Sequence, residues 1–270
     1  MGLIQHKREA YWFYRFLSLG YDRRVNPLFW TPEMRDQALA PARLEDPQLS
    51  VLDAGAGTGF TTEGIVERVP AASVTMLDQS PHQLARARAK PALGDCPKVL
   101  GDAEQLPFED DRFDRYVSAG SIEYWPDPQR GISEAYRVIK QGGVATVIGP
   151  VRPANRIARR LAETWMLFPG ADEYERWFRR AGFRDVRSVP LAPDWYRDDR
   201  GPYALAVSGV KPSPGKPLVT ERIEDPPVGP LRFAARFVAG SVAGLVFVPI
   251  AIALTLRRRG DRADAPTPKP

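Results

Sequence analysis

Short apolar stretches alternate with longer amphipathic segments between about residue 50 and residue 210. The short stretches are typical of buried strands, and the longer segments carry apolar residues at helical spacing. The predicted strands are Ser50–Ala54, Ser73–Asp78, Lys98–Gly101, Asp114–Ser118, Val144–Ile148, Val186–Leu191 and Ala204–Val210. The predicted helices are Phe60–Val69, Pro81–Lys90, Pro128–Ile139 and Glu173–Ala181. This rhythm predicts an α/β fold: a parallel sheet with helices on both faces, closed by a hairpin of the last two strands.

Local signals set several helix ends. Thr31 followed by Pro32 predicts a further helix that begins with a side-chain cap, and Ser80 before Pro81 predicts another such start. Gly142-Gly143 is predicted to end the helix that covers Pro128–Ile139. Gly182 is predicted to stop the Glu173–Ala181 helix, because glycine readily takes the left-handed conformation found there.

The hydrophobic pattern changes near the C-terminus. Residues 213–230 are rich in proline and predict a linker. Phe237–Leu256 contains twenty residues without a charged side chain, and a helix of that length spans roughly 30 Å, the thickness of a bilayer core. We therefore predict a transmembrane helix within residues 231–257, followed by a disordered basic tail at 258–270. A buried core helix and an interfacial helix are the alternatives.

Residues 1–48 are predicted to be a helical N-terminal segment. Residues 5–21 are dense in aromatic side chains at roughly helical spacing, Tyr11 and Tyr21 among them. Either this helix packs on the domain that follows, or it is an aromatic lid over an apolar ligand.

Composition narrows the classes of partner. A net charge of +5 over 270 residues is a weak indication of an anionic partner such as a lipid surface. Nucleic acid is disfavoured, because the core has no basic run with interleaved aromatic residues. Cys96 is the single cysteine and there are two histidines, so we expect no intrachain disulfide and no His/Cys metal site.

The stretch Val51–Gly59 carries the main chemical signal. It reads as a strand, a glycine turn and the start of a helix, which is an arrangement that brings backbone close to a cofactor. A dinucleotide fingerprint needs its third glycine one position later, where this chain has Phe60. Asp53, two residues before the first glycine, would repel a pyrophosphate and suits a ligand with an ammonium group. S-adenosylmethionine has that character.

The pattern Asp53-x-Gly55-x-Gly57-x-Gly59 resembles motif I of class I S-adenosylmethionine-dependent methyltransferases. The resemblance implies a Rossmann-like class I methyltransferase sheet over residues 49–212, mostly parallel with an antiparallel last strand. It also implies roles for two further acids: Asp78 would accept the ribose hydroxyls and Asp102 would read the adenine amino group. The cofactor-binding residues that it implies are Asp53, Gly55, Gly57, Gly59, Asp78, Gln79, Asp102, Ala103 and Ser118.

A closer resemblance covers nearly the whole chain. Six segments are similar to the 2-methyl-6-phytylbenzoquinol and 2-methyl-6-solanylbenzoquinol methyltransferases: residues 5–17, 59–62, 77–84, 118–130, 165–169 and 208–212. This family methylates prenylated quinols on the way to plastoquinone and tocopherols. The segment 198–202 departs from the family by being shorter and more acidic, so the resemblance implies no substrate contact there.

The same resemblance implies a location. We expect a single-pass membrane protein with its catalytic domain on the cytoplasmic or stromal side, and with membrane lipid as a partner. No transit peptide precedes the aromatic segment, so we expect either a mature form from the plastid inner envelope or a protein of a prokaryotic membrane.

Methylation of a quinol ring gains from a general base that removes the phenolic proton. Glu123, His82 and Tyr124 are the candidates for this base or for orienting the substrate. Substrate or lid contacts are expected from Tyr11, Tyr21, Trp125 and Trp165. Phe60, Tyr124 and Trp125 are candidates for a cation–π contact with the sulfonium, with plain packing as the alternative.

Two other functions stay open at this point. One is a methyltransferase for another membrane lipid, such as a sterol or a phospholipid headgroup. The other is a non-catalytic, membrane-tethered binding module, which the presence of all three acids Asp53, Asp78 and Asp102 disfavours. The sequence leaves the oligomeric state open.

Overall fold

The computed structural model describes residues 30–154, 167–193 and 201–218, together with a few isolated positions outside these ranges. Its strands are β1 (Val51–Ala54), β2 (Val74–Asp78), β3 (Lys98–Leu100), β4 (Phe113–Ala119), β5 (Ile139–Pro150), β6 (Arg184–Leu191) and β7 (Ala204–Val210). Its helices are α1 (Pro32–Leu39), α2 (Phe60–Val66), α3 (Pro81–Arg88), α4 (Pro128–Val138) and α5 (Ala171–Ala181). The predicted α/β alternation is confirmed.

The seven strands form one sheet in the order β3-β2-β1-β4-β5-β7-β6. Strands β1 to β5 pair in parallel, whereas β7 runs antiparallel to both of its neighbours, β5 and β6. The mostly parallel sheet with an antiparallel last strand is therefore confirmed. Successive strands add on opposite sides of β1, and ligands bind at such a switch point beyond the carboxyl ends of the strands.

Apolar side chains cover both faces of the sheet. One core cluster joins the sheet to α4 and α5 through residues such as Ile132 and Phe178. The other joins it to α1, α2 and α3 through residues such as Leu39, Ile65 and Leu84. Strand β1 is buried along its whole length, Asp53 included, which explains why its apolar residues do not alternate with exposed polar ones.

The helix starts follow their capping signals. The Thr31 hydroxyl accepts a hydrogen bond from the Met34 amide at 3.2 Å, and the Ser80 hydroxyl accepts one from the Gln83 amide at 3.4 Å. Gly182, with φ +111°, ends α5 in the left-handed conformation, as predicted.

The predicted helix stop at Gly142-Gly143 is wrong. Helix α4 ends at Val138, and Ile139 is already extended and begins β5, which contains both glycines. A Cβ on Gly143 would lie 2.8 Å from the backbone oxygens of Asp114 and Lys140, so glycine is needed there for close strand contact rather than for a helix cap.

Several predictions lie outside the described residues. These are the aromatic segment up to residue 29, the predicted linker from residue 219 onward, the tail 258–270, and the predicted membrane segment 231–257 apart from Leu231, Ala234, Ala235 and Val238. Within the part of the chain that the structure describes, no helix has both the length and the apolar character needed to cross a bilayer.

Candidate cofactor and acceptor site

A cleft opens at the carboxyl ends of β1 to β4 and encloses about 540 Å³, its open mouth included. It therefore lies at the topological switch point, where the sheet geometry predicts a ligand site. Its lining residues are Gly55, Leu77, Asp78, Gln79, Gly101, Asp102, Ala103, Glu104, Gly120, Ser121, Tyr124 and Trp125.

The glycine turn forms one end of the cleft. Gly55, Gly57 and Gly59 all have positive φ, at +73°, +56° and +85°, which is the left-handed region that favours glycine. A Cβ on Gly55 would lie 2.2 Å from the Ser121 hydroxyl oxygen. Only Gly55 of the three lines the cleft, while Gly57 and Gly59 shape the turn and the start of α2.

Asp53 lies behind this turn and is fully buried. Its Oδ2 accepts a hydrogen bond from the Thr62 hydroxyl at 2.6 Å, whereas its Oδ1 has no hydrogen-bond partner among the described residues. Burial, helped by the charge of Asp78, raises the pKa of Asp53 to about 7, although the Thr62 bond lowers it. A buried carboxylate with an unused oxygen suits a ligand that brings a positively charged donor.

Asp78 stands at the end of β2 on the cleft wall. Its Oδ2 accepts a hydrogen bond from the Gly57 amide and its Oδ1 accepts one from the Ser80 amide, both at 2.8 Å. These bonds fix the carboxylate between the glycine turn and the start of α3. Gln79 follows as an exposed residue on the cleft rim.

The segment after β3 supplies a second wall. Asp102 Oδ1 accepts a hydrogen bond from the Glu104 amide at 2.9 Å, which holds the segment in a tight turn. Ala103 and Glu104 are buried at 7% and 2% exposure and line the cleft with Asp102.

The segment after β4 supplies the opposite wall. The Trp125 indole Nε1 donates to the Ser121 hydroxyl at 2.9 Å, and Tyr124 lies between them on the cleft surface. Ser118 is fully buried within β4 and is absent from the lining, so Gly120 and Ser121 form the wall at the place where the sequence suggested Ser118.

Glu123 lies beside this wall in the short 3₁₀ turn Ile122–Tyr124. It is 8% exposed, and its Oε2 has no hydrogen-bond partner in the described part of the chain. Burial raises the pKa of Glu123 to about 7. Glu123 does not itself line the cleft, but it lies next to residues that do: its Oε1 is 3.8 Å from the point that a Cβ on Gly120 would occupy, and Tyr124 follows it in the chain.

Comparison with known proteins identifies the family. Residues 52–147 match the family described as a methyltransferase domain. The chain is 54% identical over 262 residues to 2-methyl-6-phytyl-1,4-hydroquinone methyltransferase, chloroplastic, from Arabidopsis thaliana, covering 94% of this chain and 78% of that protein. The enzyme of the same name from Spinacia oleracea is 52% identical, with 94% and 76% covered. The chain belongs to this methyltransferase family.

More distant relatives agree with this assignment. The demethylmenaquinone methyltransferase of Chlorobaculum tepidum is 36% identical over 205 residues, covering 65% of this chain and 79% of that protein. A methyltransferase solved with the Trm112 activator of Haloferax volcanii superposes with a TM-score of 0.60 at 22% identity, covering 77% and 99% of the two chains. That likeness shows the class I methyltransferase fold, and the chain is an S-adenosylmethionine-dependent methyltransferase.

The described structure does not bring the other predicted site residues into the methyltransferase cleft. His82 is exposed near the start of α3 and does not line the cleft. Phe60 is half-buried, and the Arg35 guanidinium lies 5.3 Å from its ring centroid, so a cation already faces this ring. Tyr11, Tyr21 and Trp165 lie outside the described residues.

Five residues that line the methyltransferase cleft were not predicted as site residues from the sequence: Leu77, Gly101, Glu104, Gly120 and Ser121. Gly120 carries a signal, because a glycine directly after a strand often has positive φ, and its φ is +63°. Ser121 and Glu104 act through contacts with residues distant in sequence, for which a single sequence has no local signal.

Proposed function

We propose that this enzyme transfers a methyl group from S-adenosylmethionine to a ring carbon of a prenylated hydroquinone, in plastoquinone- and tocopherol-type synthesis. One observation carries the proposal: the chain is 52–54% identical, over 94% of its length, to four plant enzymes that all bear the name 2-methyl-6-phytyl-1,4-hydroquinone methyltransferase. An acceptor of that type, with a phenolic ring and an apolar tail, suits a cleft lined by both carboxylates and aromatic rings.

The residues of the cleft suit the cofactor. Asp53, with its unused buried oxygen, would hold the ammonium end directly or through a water molecule. Asp78 would accept the ribose hydroxyls, and Asp102 with Ala103 would take the adenine. Gln79 on the rim completes this set, whereas the buried Ser118 would act only through the backbone of β4. Bound there, S-adenosylmethionine supplies an electrophilic methyl group on its sulfonium.

Glu123 is our candidate for the general base. Removing the proton from a hydroquinone hydroxyl raises the electron density of the ring carbons beside it, which favours their attack on an electrophile. A carboxyl group with a pKa of about 7 is partly ionised at neutral pH and accepts a proton readily. Tyr124 and Trp125 would hold the ring against the cofactor, which lowers the entropic part of the barrier. The exposed His82 is the weaker candidate.

The membrane part of the proposal rests on the sequence. A prenyl tail favours the bilayer by about 0.8 kcal/mol for each buried methylene, so its enzyme gains by working at the membrane surface. We propose that Phe237–Leu256 anchors the chain in the lipid, with the catalytic domain on the cytoplasmic or stromal side. Tyr11, Tyr21 and Trp165 would contact the acceptor. The named plant relatives are chloroplastic, which accords with a plastid envelope or a related prokaryotic membrane.

Product analysis tests the function. The full-length enzyme in lipid vesicles is given S-adenosylmethionine labelled in its methyl group, with a prenylated hydroquinone, a sterol or a phospholipid as acceptor. We expect labelled product only from the hydroquinone, with the label on a ring carbon. Label in the sterol or the phospholipid, and none in the hydroquinone, would overturn the proposal.

A further inference from the structure

The two long walls of the cleft come from separate parts of the chain. Asp102, Ala103 and Glu104 follow β3, whereas Ser121, Tyr124 and Trp125 follow β4. The proposed function places the cofactor against the first wall and the acceptor against the second. A direct link between the walls would therefore join the two ligand sites.

Glu104 makes that link. Its Oε1 accepts a hydrogen bond from the backbone amide of Asp127 at 2.5 Å, two residues beyond Trp125. Glu104 is only 2% exposed and Asp127 only 8%, so water has little access to replace this bond. A buried amide that loses its acceptor pays a desolvation cost, and the backbone around Asp127 would shift to avoid it.

Both ends of the link are held in place. The Glu104 amide donates to Asp102 Oδ1 at 2.9 Å, which ties the linking residue to the proposed adenine-reading acid. Asp127 caps α4, since its Oδ1 accepts the Arg130 amide at 3.1 Å. A displacement of the first wall is thus passed through Glu104 to the chain that carries Tyr124 and Trp125.

We propose that Glu104 is a positioning residue that couples the two ligand sites, so that cofactor bound at the Asp102 wall tightens acceptor binding at the Tyr124–Trp125 wall. This inference rests on the proposed function. The physical basis is that the first ligand orders both walls through the shared hydrogen bond, so the second ligand pays less to order its own wall. By linkage, the acceptor tightens cofactor binding by the same factor.

Glu134 offers a matched control. Its Oε2 accepts the Leu106 amide at 2.8 Å, so it also fastens the segment after β3 by a carboxylate-to-amide bond. Glu134 lies on α4 and does not line the cleft, and its bond does not reach the segment that carries Tyr124. Glu134 also accepts two hydrogen bonds from Arg137, at 2.8 Å each, so Glu134→Ala removes more of the fastening of this segment than Glu104→Ala does, while the Glu104 link stays.

Calorimetry on the full-length enzyme in detergent micelles measures the coupling. The probe is S-adenosylhomocysteine, which has no methyl group to transfer, titrated with and without saturating 2-methyl-6-phytyl-1,4-hydroquinone under reducing conditions. We expect the hydroquinone to tighten wild-type affinity by at least about fivefold. Glu104→Ala should bring this factor close to one, whereas Glu104→Gln, which keeps an acceptor oxygen, and Glu134→Ala should retain it.

A wild-type factor in Glu104→Ala, or a factor of one in the wild type, would overturn the coupling. If Glu104→Ala does not fold, Glu104→Asp replaces it, because the carboxylate is then withdrawn by one methylene and the same loss is expected. The proposed function fails by a different result, namely the absence of methyl transfer to any prenylated hydroquinone by the wild type. An active wild type without coupling would overturn the role of Glu104 alone.

Discussion

The Thr62 hydroxyl on α2 donates a hydrogen bond to Asp53 Oδ2 across 2.6 Å, and the other oxygen of the same buried carboxylate has no partner among the described residues. Helix α2 therefore orients the Asp53 carboxylate through Oδ2. Its Oδ1 is left as an unused hydrogen-bond acceptor in the described part of the chain. Because burial raises the pKa of Asp53 to about 7, the charge of this acceptor depends on pH in the physiological range.

Asp53→Ala should weaken S-adenosylmethionine binding by at least about tenfold, since it removes a charged hydrogen-bond acceptor. In the wild type the affinity should rise as the pH increases through about 7, because Asp53 becomes ionised. Calorimetric titration between pH 6 and pH 8.5 measures both effects. Thr62→Val is the control: loss of its hydrogen bond raises the pKa of Asp53, so the midpoint should move to higher pH while binding at high pH persists. Normal affinity in Asp53→Ala would contradict the cofactor assignment.

Glu123→Gln should lower kcat by roughly 100- to 10,000-fold, the usual contribution of a general base. With cofactor saturating, the wild-type rate should rise through a pKa of about 7 as Glu123 loses its proton, and this limb should vanish in the variant. Cofactor affinity is the control and should not change. If Glu123→Gln still shows this rise of the rate with pH, the general base is another group, and Tyr124 is the next residue to test.

The same carboxyl group affects stability. The pKa of Glu123 is raised from 4.5 to about 7 in the folded protein, so the native state holds a proton that the unfolded state has released between these values. The favourable contribution of Glu123 to the free energy of unfolding is therefore complete below about pH 4.5 and is lost as the pH rises to about 7. Glu123→Gln does not ionise, so we expect a higher Tm than the wild type at pH 8 and a similar Tm at pH 4.

Much of this fold could be predicted because its signals are local. The apolar runs that become β1 and β2, the caps at Thr31 and Ser80, and the spacing of the glycine turn each depend on residues close in sequence. The resemblance to class I methyltransferases implied the site roles of Asp78 and Asp102, and both line the cleft, where parallel strands bring their carboxyl ends to one edge.

The rest depends on packing that a single sequence does not record. His82 stands two residues after the capping Ser80, but that side of α3 faces solvent rather than the cleft. The contact between Ser121 and Gly55 joins positions 66 residues apart, and the bond from Asp127 to Glu104 joins positions 23 residues apart. Gly142-Gly143 has the composition of a helix stop, yet both glycines lie within β5, where Gly143 allows close backbone contact and Gly142 takes a positive φ of +77°.

Gly55→Ala should abolish measurable cofactor binding. The new Cβ would lie 2.2 Å from the Ser121 hydroxyl oxygen, and a φ of +73° costs a non-glycine residue roughly 1–2 kcal/mol. The double variant Gly55→Ala/Ser121→Gly removes the steric conflict and keeps the backbone strain, so it should recover part of the thermal stability that the single variant loses. Wild-type cofactor affinity in Gly55→Ala would show that the turn tolerates a side chain.

Lys211, just after β7, is fully buried, and its Nζ lies 2.6 Å from Asp111 Oδ1 and 3.0 Å from the carbonyl oxygen of Ile139. Asp111 is 37% exposed, so only the lysine of this ion pair is fully shielded from water. Asp111→Ala leaves a buried ammonium group without its counter-charge and should cost about 3 kcal/mol or more of the free energy of unfolding. Lys211→Met keeps the apolar stem and releases Asp111 to water, so it should cost less. Urea unfolding of both variants measures the difference, and equal costs would contradict this explanation.

Truncation after Pro230 should abolish membrane association and leave cofactor binding intact. The last strand, β7, ends where Val210 pairs with Val144, at the edge of the sheet opposite the cleft. Beyond it, the Leu218 amide donates to the Ala181 carbonyl at 3.2 Å, so the chain still contacts the end of α5 at this point. Residues 1–230 should therefore keep wild-type cofactor affinity and leave the membrane fraction for the supernatant.

The effect of the truncation on activity should depend on whether the acceptor is dissolved in water or in the membrane. The truncated enzyme should methylate a short-chain hydroquinone in solution at the wild-type rate, and its rate on a phytyl hydroquinone in vesicles should fall, because it no longer concentrates at the bilayer. A matched substitution of Leu245 and Phe247 by Asp in the full chain should reproduce the fractionation result, since charges in the middle of a spanning helix are costly. Sedimentation of residues 1–230 with the membranes, as for the full chain, would locate the anchor elsewhere in the protein.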